Sequence, residues 1–274
     1  MPTNIWRILR TPPAEGAWNM ALDEAILLSA GSGKALPTLR LFAWHPACLS
    51  LGYAQSVQDV NLTAINALGW GLVRRSTGGR AILHVDELTY SVITPVDNAV
   101  MSGGLTESYR RISAAILEAL HRLGIDANAD REYQTPPGTD KKGAVCFEVP
   151  SNYEITFQEK KLVGSAQARR KEGILQHGTL PLFGDLARIL QVLNMPINAD
   201  LDTTRQKLYQ RAATVETILQ KTIPWETAAE AFEAAFASTL DIDFVQGEIS
   251  PWEAAQTERL IDDKFGNDAW THRI

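Results

Sequence analysis

The chain has 274 residues, 45% hydrophobic and 21% charged, which suits one large domain with a sizeable core. Basic residues number 26 against 32 acidic ones, a formal charge of −6, and this lack of a basic excess argues against DNA or RNA as the main partner. Two cysteines, Cys48 and Cys146, with no CxxC or Cys/His cluster, speak against a disulfide framework and a zinc site; the start of the chain lacks the apolar run of a signal peptide and no stretch is apolar for long enough to span a membrane, so the expected compartment is the reducing cytoplasm, with no membrane partner.

In chain order, Trp18, Ala21, Leu22, Ala25 and Leu28 recur at helical spacing and predict a helix over 16–29, ended by Gly31 to Gly33. Leu39 to Ala43 alternates as a half-buried strand does, and short strands are expected at Cys48 to Leu51, 71–75 and 89–94. A second helix is expected over 105–124, with Leu105, Tyr109, Ile112, Ile116, Leu120 and Leu123 on one face and Gly124 closing it. Residues 131–143 carry prolines, glycines and charges and read as an exposed loop leading to Cys146. Residues 153–157 and 161–168 read as paired strands turned by Gln158-Glu159-Lys160, and Lys171-Glu172-Gly173 turns into a strand over 174–180. From Leu182 onward the chain looks mainly helical, and Ser250-Pro251-Trp252-Glu253 has the form of a capping box. No GxGxxG or GxxxxGK[ST] follows a strand, so neither a dinucleotide site nor a P-loop is supported.

Three segments carry chemistry. Arg74-Arg75-Ser76-Thr77-Gly78-Gly79-Arg80-Ala81, followed by His84, joins two predicted strands; adjacent glycines let a ligand approach the backbone and arginines hold anions, although a tight hairpin with solvated arginines is the blander reading. Cys48, between Ala47 and Leu49, fits buried core filling; Cys146 follows a polar loop and precedes Pro150-Ser151, so it need not lie deep in the core. In Lys161-Leu162-Val163-Gly164-Ser165-Ala166-Gln167 the small residues leave room beside a strand. A lysine placed as Lys161 is ordinarily a solvated edge residue, and His177, in Gln176-His177-Gly178-Thr179, is ordinarily a satisfied structural histidine.

The order and spacing of these segments, with Glu87-Leu88-Thr89-Tyr90 after His84, resemble the lipoate-protein ligase A/octanoyltransferase family. Within it, Cys146 and Lys161, fifteen residues apart, look like the LipM-type octanoyltransferases. The resemblance runs from about Trp18 to the Lys264-Phe265…Trp270 tail. It implies an α+β fold, the biotin/lipoate ligase catalytic domain, with a central mixed, mostly antiparallel sheet flanked by helices. One such domain is expected over 1–274, with a helical part at about 183–274.

The resemblance implies a narrow apolar tunnel beside the Gly-Gly turn and the Lys161 strand. Burying an octanoyl chain there at ~0.8 kcal/mol per methylene gives roughly 6 kcal/mol before association costs. The implied substrate-binding residues are Arg75, Thr77, Gly78, Gly79, His84, Gly164, Ser165, Ala166, Gln167, His177, Gly178 and Thr179, and the implied catalytic pair is Cys146 and Lys161. In the implied reaction Cys146 takes octanoyl from octanoyl-acyl carrier protein, and a lysine of a lipoyl domain or of the glycine-cleavage H protein then takes it from Cys146. No ATP or other cofactor is required, because a thioester already stores the energy of the amide. Lys161 is expected to hold Cys146 as the thiolate and to relay the proton of the incoming amine; N–H groups near Gly78-Gly79 or Gly164-Ser165 are candidate oxyanion donors. Lys160, Arg169, Arg170 and Lys171 are the candidates for a basic rim that steers acidic carriers. A monomer is expected. The rival readings are an ATP-dependent lipoate ligase, an amidotransferase taking octanoyl from the H protein, and a non-catalytic carrier-binding protein on the same fold.

Overall fold

A computed structural model describes residues 4–129, 154–195 and 198–274. The chain begins with β1 (Ile5–Arg10), α1 (Gly16–Gly31), β2 (Thr38–Phe42), β3 (Cys48–Leu51), α2 (Leu62–Leu68), β4 (Gly71–Arg74), β5 (Ile82–His84) and β6 (Glu87–Thr94). Then come α3 (Leu105–Arg122), β7 (Asn128–Ala129), β8 (Ile155–Phe157), β9 (Lys160–Arg170) and β10 (Gly173–Pro181). The remainder holds α4 (Leu201–Arg211), α5 (Val215–Leu219), α6 (Trp225–Leu240), β11 (Asp243–Gln246), α7 (Pro251–Leu260) and α8 (Asp268–Thr271). The expected loop at 131–143 and Cys146 lie outside the described residues.

The larger sheet runs β11-β1-β2-β6-β10-β9-β8-β7. Its β11-β1 and β1-β2 pairs are parallel and the rest antiparallel, the mixed and mostly antiparallel pattern expected. A second sheet, β4-β3-β5, stands apart from it and was not anticipated as a separate layer. In it β4 and β5 both pair with β3 and not with each other, so residues 75–81 form a crossover and not the hairpin of the blander reading.

Helices cover both faces of the larger sheet. On one face Ile112, Ile116 and Leu120 of α3 and Phe232 and Phe236 of α6 pack on Ile8, Leu39, Leu41, Tyr90 and Val92. On the other, Leu22, Ile26 and Leu27 of α1 pack on Leu9, Ile93 and Leu175. This double cover corrects the reading of Leu39 to Ala43 as half-buried: every residue of β2 is buried, Arg40 included. Arg40 tolerates burial because Asp23 and Asn19, one turn apart on α1, face it; its NH1 lies 2.7 Å from Asp23 Oδ1 and its NH2 2.6 Å from Asn19 Oδ1. Helix α1 therefore buries three polar residues, Asn19, Asp23 and Ser29, while Trp18 and Leu28 of its expected apolar face are half-buried.

The Ser250 capping box forms as expected, and its Glu253 does double service. Glu253 accepts from the Ser250 N–H at 2.9 Å and makes a bidentate pair with Arg7 of β1 at 2.7 and 2.9 Å, which fastens α7 to the sheet. The strand β11 within the helical part had no signal in the sequence: its four residues are mostly exposed and lack an alternating pattern.

Candidate active site

The central feature is a cavity of about 540 Å³ between β9 and β10 on one side and the 75–81 crossover on the other. Gly164, Ser165, Ala166 and Gln167 line it from β9, and opposite them in register stand Thr179, Gly178, His177 and Gln176, the first three also in the wall. The Gln158-Glu159 turn that leads from β8 into β9 has φ of 47° and 63°, the left-handed pair that a two-residue hairpin requires. Only glycine fits at 178: a Cβ there would lie 2.5 Å from Gly164 O and 2.7 Å from the Tyr90 ring. Tyr90, fully buried behind the strands, meets Ser165 Oγ through its hydroxyl at 2.7 Å.

The crossover is held from within. Arg75 donates from NH1 to Ser50 O and Oγ (2.8 and 2.6 Å) and from NH2 to Gly78 O and Arg80 O (3.1 and 3.0 Å). Arg74, fully buried, donates to Gly52 O, Gln55 O and Thr271 O. The arginines thus organise backbone carbonyls, which corrects their reading as solvated groups; of the two, only Arg75 lines the cavity. Gly78 and Gly79 lie in the wall, and their N–H groups donate to no acceptor among the described residues. Gly79 has φ of 99°, which glycine alone adopts without strain.

Thr77, outside the wall, meets His177, which is part of it: Thr77 Oγ1 is 2.7 Å from His177 Nε2, and His177 Nδ1 is 3.6 Å from Asp23 Oδ2. Burial lowers the His177 imidazole below its ordinary range, and Asp23 opposes this only in part. His177 has its hydrogen-bonding partners met, as residue type alone suggests, and also lines the cavity, whereas Thr77 touches His177 and not the cavity. His84 lines the cavity with its ring stacked on Trp44, centroids 3.9 Å apart.

Lys161 departs from the solvated-edge expectation. It is 5% exposed, lines the cavity, and its Nζ lies 2.5 Å from Glu154 Oε1, itself in the wall. Leu105 and Tyr109, expected on the apolar face of the helix, line the cavity from the first turns of α3, and Leu105 is 53% exposed. Cys48 is the inert thiol expected: it is fully buried, and burial with the charges of Glu87 and Glu15 pushes its pKa far up. Met20, Trp44, Thr89 and Glu154 are wall residues that sequence reasoning missed, because they belong to segments that looked like ordinary core or strand.

The basic rim does not form as drawn. Lys160 and Arg170 stand at opposite ends of β9, roughly 30 Å apart at strand rise. Arg169 donates to Gly103 O at 2.9 Å, and Arg170 NH1 lies 3.4 Å from Glu24. Among the described residues no helix is long and apolar enough to cross a membrane.

Two strands of small residues thus face a glycine crossover across one cavity, with a buried lysine in its wall. Residues 15–237 match the model of the lipoyl protein ligase A/B catalytic domain. The chain is 37% identical to an octanoyltransferase LipM of Brevibacillus brevis, covering 98% of this chain and 99% of that one. It is 34% identical to the octanoyltransferase LipM of Bacillus subtilis over the whole of both chains. Among solved structures, lipoate-protein ligase A bound with ATP superposes with a TM-score of 0.79 at 28% identity, covering 97% of this chain and 98% of that one. A chain from the structure of a bi-partite lipoate protein ligase and its E2 lipoyl domain from Thermoplasma acidophilum gives 0.80 at 26%, covering 99% and 96%. The chain belongs to the lipoyl protein ligase A/B catalytic-domain family. Within that family it is an acyltransferase of the octanoyltransferase kind.

Proposed function

We propose that the chain, acting as one catalytic unit over 1–274, moves octanoyl from octanoyl-acyl carrier protein to a lysine of a lipoyl domain or of the glycine-cleavage H protein, through an acyl thioester on Cys146. The observation that carries this reading is Lys161: a buried, carboxylate-paired lysine in the wall of a cavity that the small residues of β9 and β10 and the Gly78-Gly79 pair also line. The described chain resumes in that wall at Glu154, eight residues after Cys146 in sequence.

In the first step the Cys146 thiolate attacks the thioester carbonyl and the carrier thiolate leaves. In the second, the acceptor amine attacks the acyl-enzyme carbonyl, the C–S bond breaks, and the amine proton reaches the departing sulfur by way of Lys161. The ammonium of Lys161 favours the thiolate, and the Gly78 and Gly79 N–H groups receive the carbonyl oxygen as it gains charge in this reading. Arg75 acts by holding the crossover. Thr77 braces it through its contact with His177, which also lines the slot. His84, Gly164, Ser165, Ala166, Gln167, Gly178 and Thr179 shape the acyl slot. The enzyme needs no cofactor, works as a monomer and belongs in the cytoplasm.

The test is incubation with octanoyl-acyl carrier protein and apo H protein without ATP. Octanoylation of the H protein is expected, with a mass increment of one octanoyl group on Cys146 when the acceptor is left out. A strict need for ATP would move the chain to the ligase reading, which the ATP-bound structural neighbour favours. Transfer only from octanoyl-H protein would make it an amidotransferase, and no reaction would leave a carrier-binding protein.

A further inference from the structure

A buried chain of hydrogen bonds links the two sheets beside the cavity, and each donor in it is assigned by elimination. Arg75 NH1 donates to Ser50 Oγ at 2.6 Å. Ser50 Oγ lies 2.6 Å from His84 Nε2, which is the acceptor in reach of its own hydroxyl proton among the described residues. His84 Nε2 is therefore unprotonated, and the ring proton sits on Nδ1, 2.6 Å from Glu87 Oε1. Thr89 Oγ1 donates to the same carboxylate oxygen at 2.6 Å and accepts from Trp44 Nε1 at 2.8 Å. Ser50 and His84 belong to the three-stranded sheet, Glu87 and Thr89 to the larger one, and all of these groups are buried.

We propose that Glu87 is a positioning residue for acyl transfer: by accepting from His84 it fixes the imidazole tautomer, which turns the Ser50 hydroxyl so that its oxygen receives Arg75, and Arg75 in turn holds the Gly78–Arg80 backbone at the cavity. The logic is one of acceptor supply. Glu87 offers only acceptors, so the His84 Nδ1 must carry the proton. A neutral amide there offers a donor as well, and the alternative tautomer then becomes accessible. With Nε2 protonated, Ser50 Oγ would receive from His84 and from Arg75 together, and its own proton would have no acceptor. The Arg75 contacts to Gly78 O and Arg80 O, which shape the two glycine N–H donors, would loosen as a result. Because those donors act on charge that develops in the transition state, the effect belongs in kcat and not in KM. The inference rests on the acyl-transfer reading of the cavity.

The experiment combines two-bond ¹H–¹⁵N spectra of histidine-labelled protein, with His84 assigned by a His84→Gln variant, and steady-state transfer from an octanoyl thioester. The wild-type His84 is expected to be the Nδ1–H tautomer. Glu87→Gln should mix the tautomers and lower kcat at least tenfold with KM changed less than threefold, and Glu87→Asp should restore most of both. A wild-type Nε2–H signature overturns the relay, whether or not Glu87→Gln folds. So does a Glu87→Gln enzyme with wild-type kcat, a loss carried by KM, or a kcat loss with an unchanged His84 spectrum. If wild-type protein transfers nothing from any octanoyl thioester, the acyl-transfer reading fails, while the spectrum still reports on the relay.

Discussion

Lys161 and Glu154 form a buried ion pair in the wall of the cavity, Nζ to Oε1 at 2.5 Å, their side chains 6% and 8% exposed. Desolvating two charges is costly, so such a pair persists by mutual compensation, and removing one partner exposes the other to the full penalty. Lys161→Met and Glu154→Gln should each destabilise the fold by about 3–5 kcal/mol, and the double variant Lys161→Met/Glu154→Leu by less than the two combined. Urea unfolding measures all three. Transfer should fall at least about 10²-fold in Lys161→Met. A Lys161→Met enzyme of wild-type rate would remove the lysine from the mechanism.

The two thiols should behave as opposites. Cys48 has no exposed surface and its ionisation is disfavoured by burial. Native protein treated with iodoacetamide at pH 7.5 should take up one equivalent, on Cys146, and prior octanoylation should block it. The Cys146→Ala protein should take up none until it is unfolded. Labelling of Cys48 in folded protein would contradict its placement.

Acid should destabilise the protein in two stages. Burial holds the folded His177 below the ordinary imidazole value of about 6.5, so protonation favours the unfolded chain; the stability is whole above that value and declines as pH falls from it toward the folded pKa. Burial alone would raise Asp23, but Arg40, His177 and Ser91 outweigh it and hold the carboxyl below its ordinary range. Its contribution is present above about pH 3.9 and is lost as pH falls through the folded pKa. Thermal melts between pH 8 and pH 3 should descend in these two windows, and His177→Gln should flatten the first while keeping the second.

Chain length should follow the room left by the small residues of β9. Ala166 lines the slot, and a leucine there fills space that the last methylenes of octanoyl would occupy. At about 0.8 kcal/mol per buried methylene, the preference for octanoyl over hexanoyl should fall roughly tenfold in Ala166→Leu. Competition between the two thioesters, read by mass of the acylated acceptor, decides it. An unchanged ratio would place the acyl chain elsewhere.

Residues that meet because they are near in sequence were legible before any coordinates. The Gln158-Glu159 turn, the Ser250 capping box and the facing small residues of β9 and β10 follow from spacing and turn chemistry. Apolar periodicity placed α1 and α3, because a helix face is fixed by 3.6 residues per turn. The same periodicity put Leu105 and Tyr109 on one face with Ile112 and Ile116 and could not say that they face a cavity, since an apolar stripe lines a cavity as readily as it packs a sheet.

By itself the sequence determined the chemical groups, most of the strands and helices, and, by resemblance, the class of reaction to expect. Tertiary structure alone decided which of those groups are buried and what each one touches. Thr77 and His177 are 100 positions apart and Arg74 and Thr271 are 197 apart, and both contacts exist only because the sheets and helices pack as they do. Arg40 is silent in the burial of a strand until helices close over both faces of the sheet, and Lys161 looks like a solvent-facing edge until Glu154 is brought beside it. Spacing along a chain sets which way a side chain points; only the long-range packing sets the dielectric and the partner it finds there.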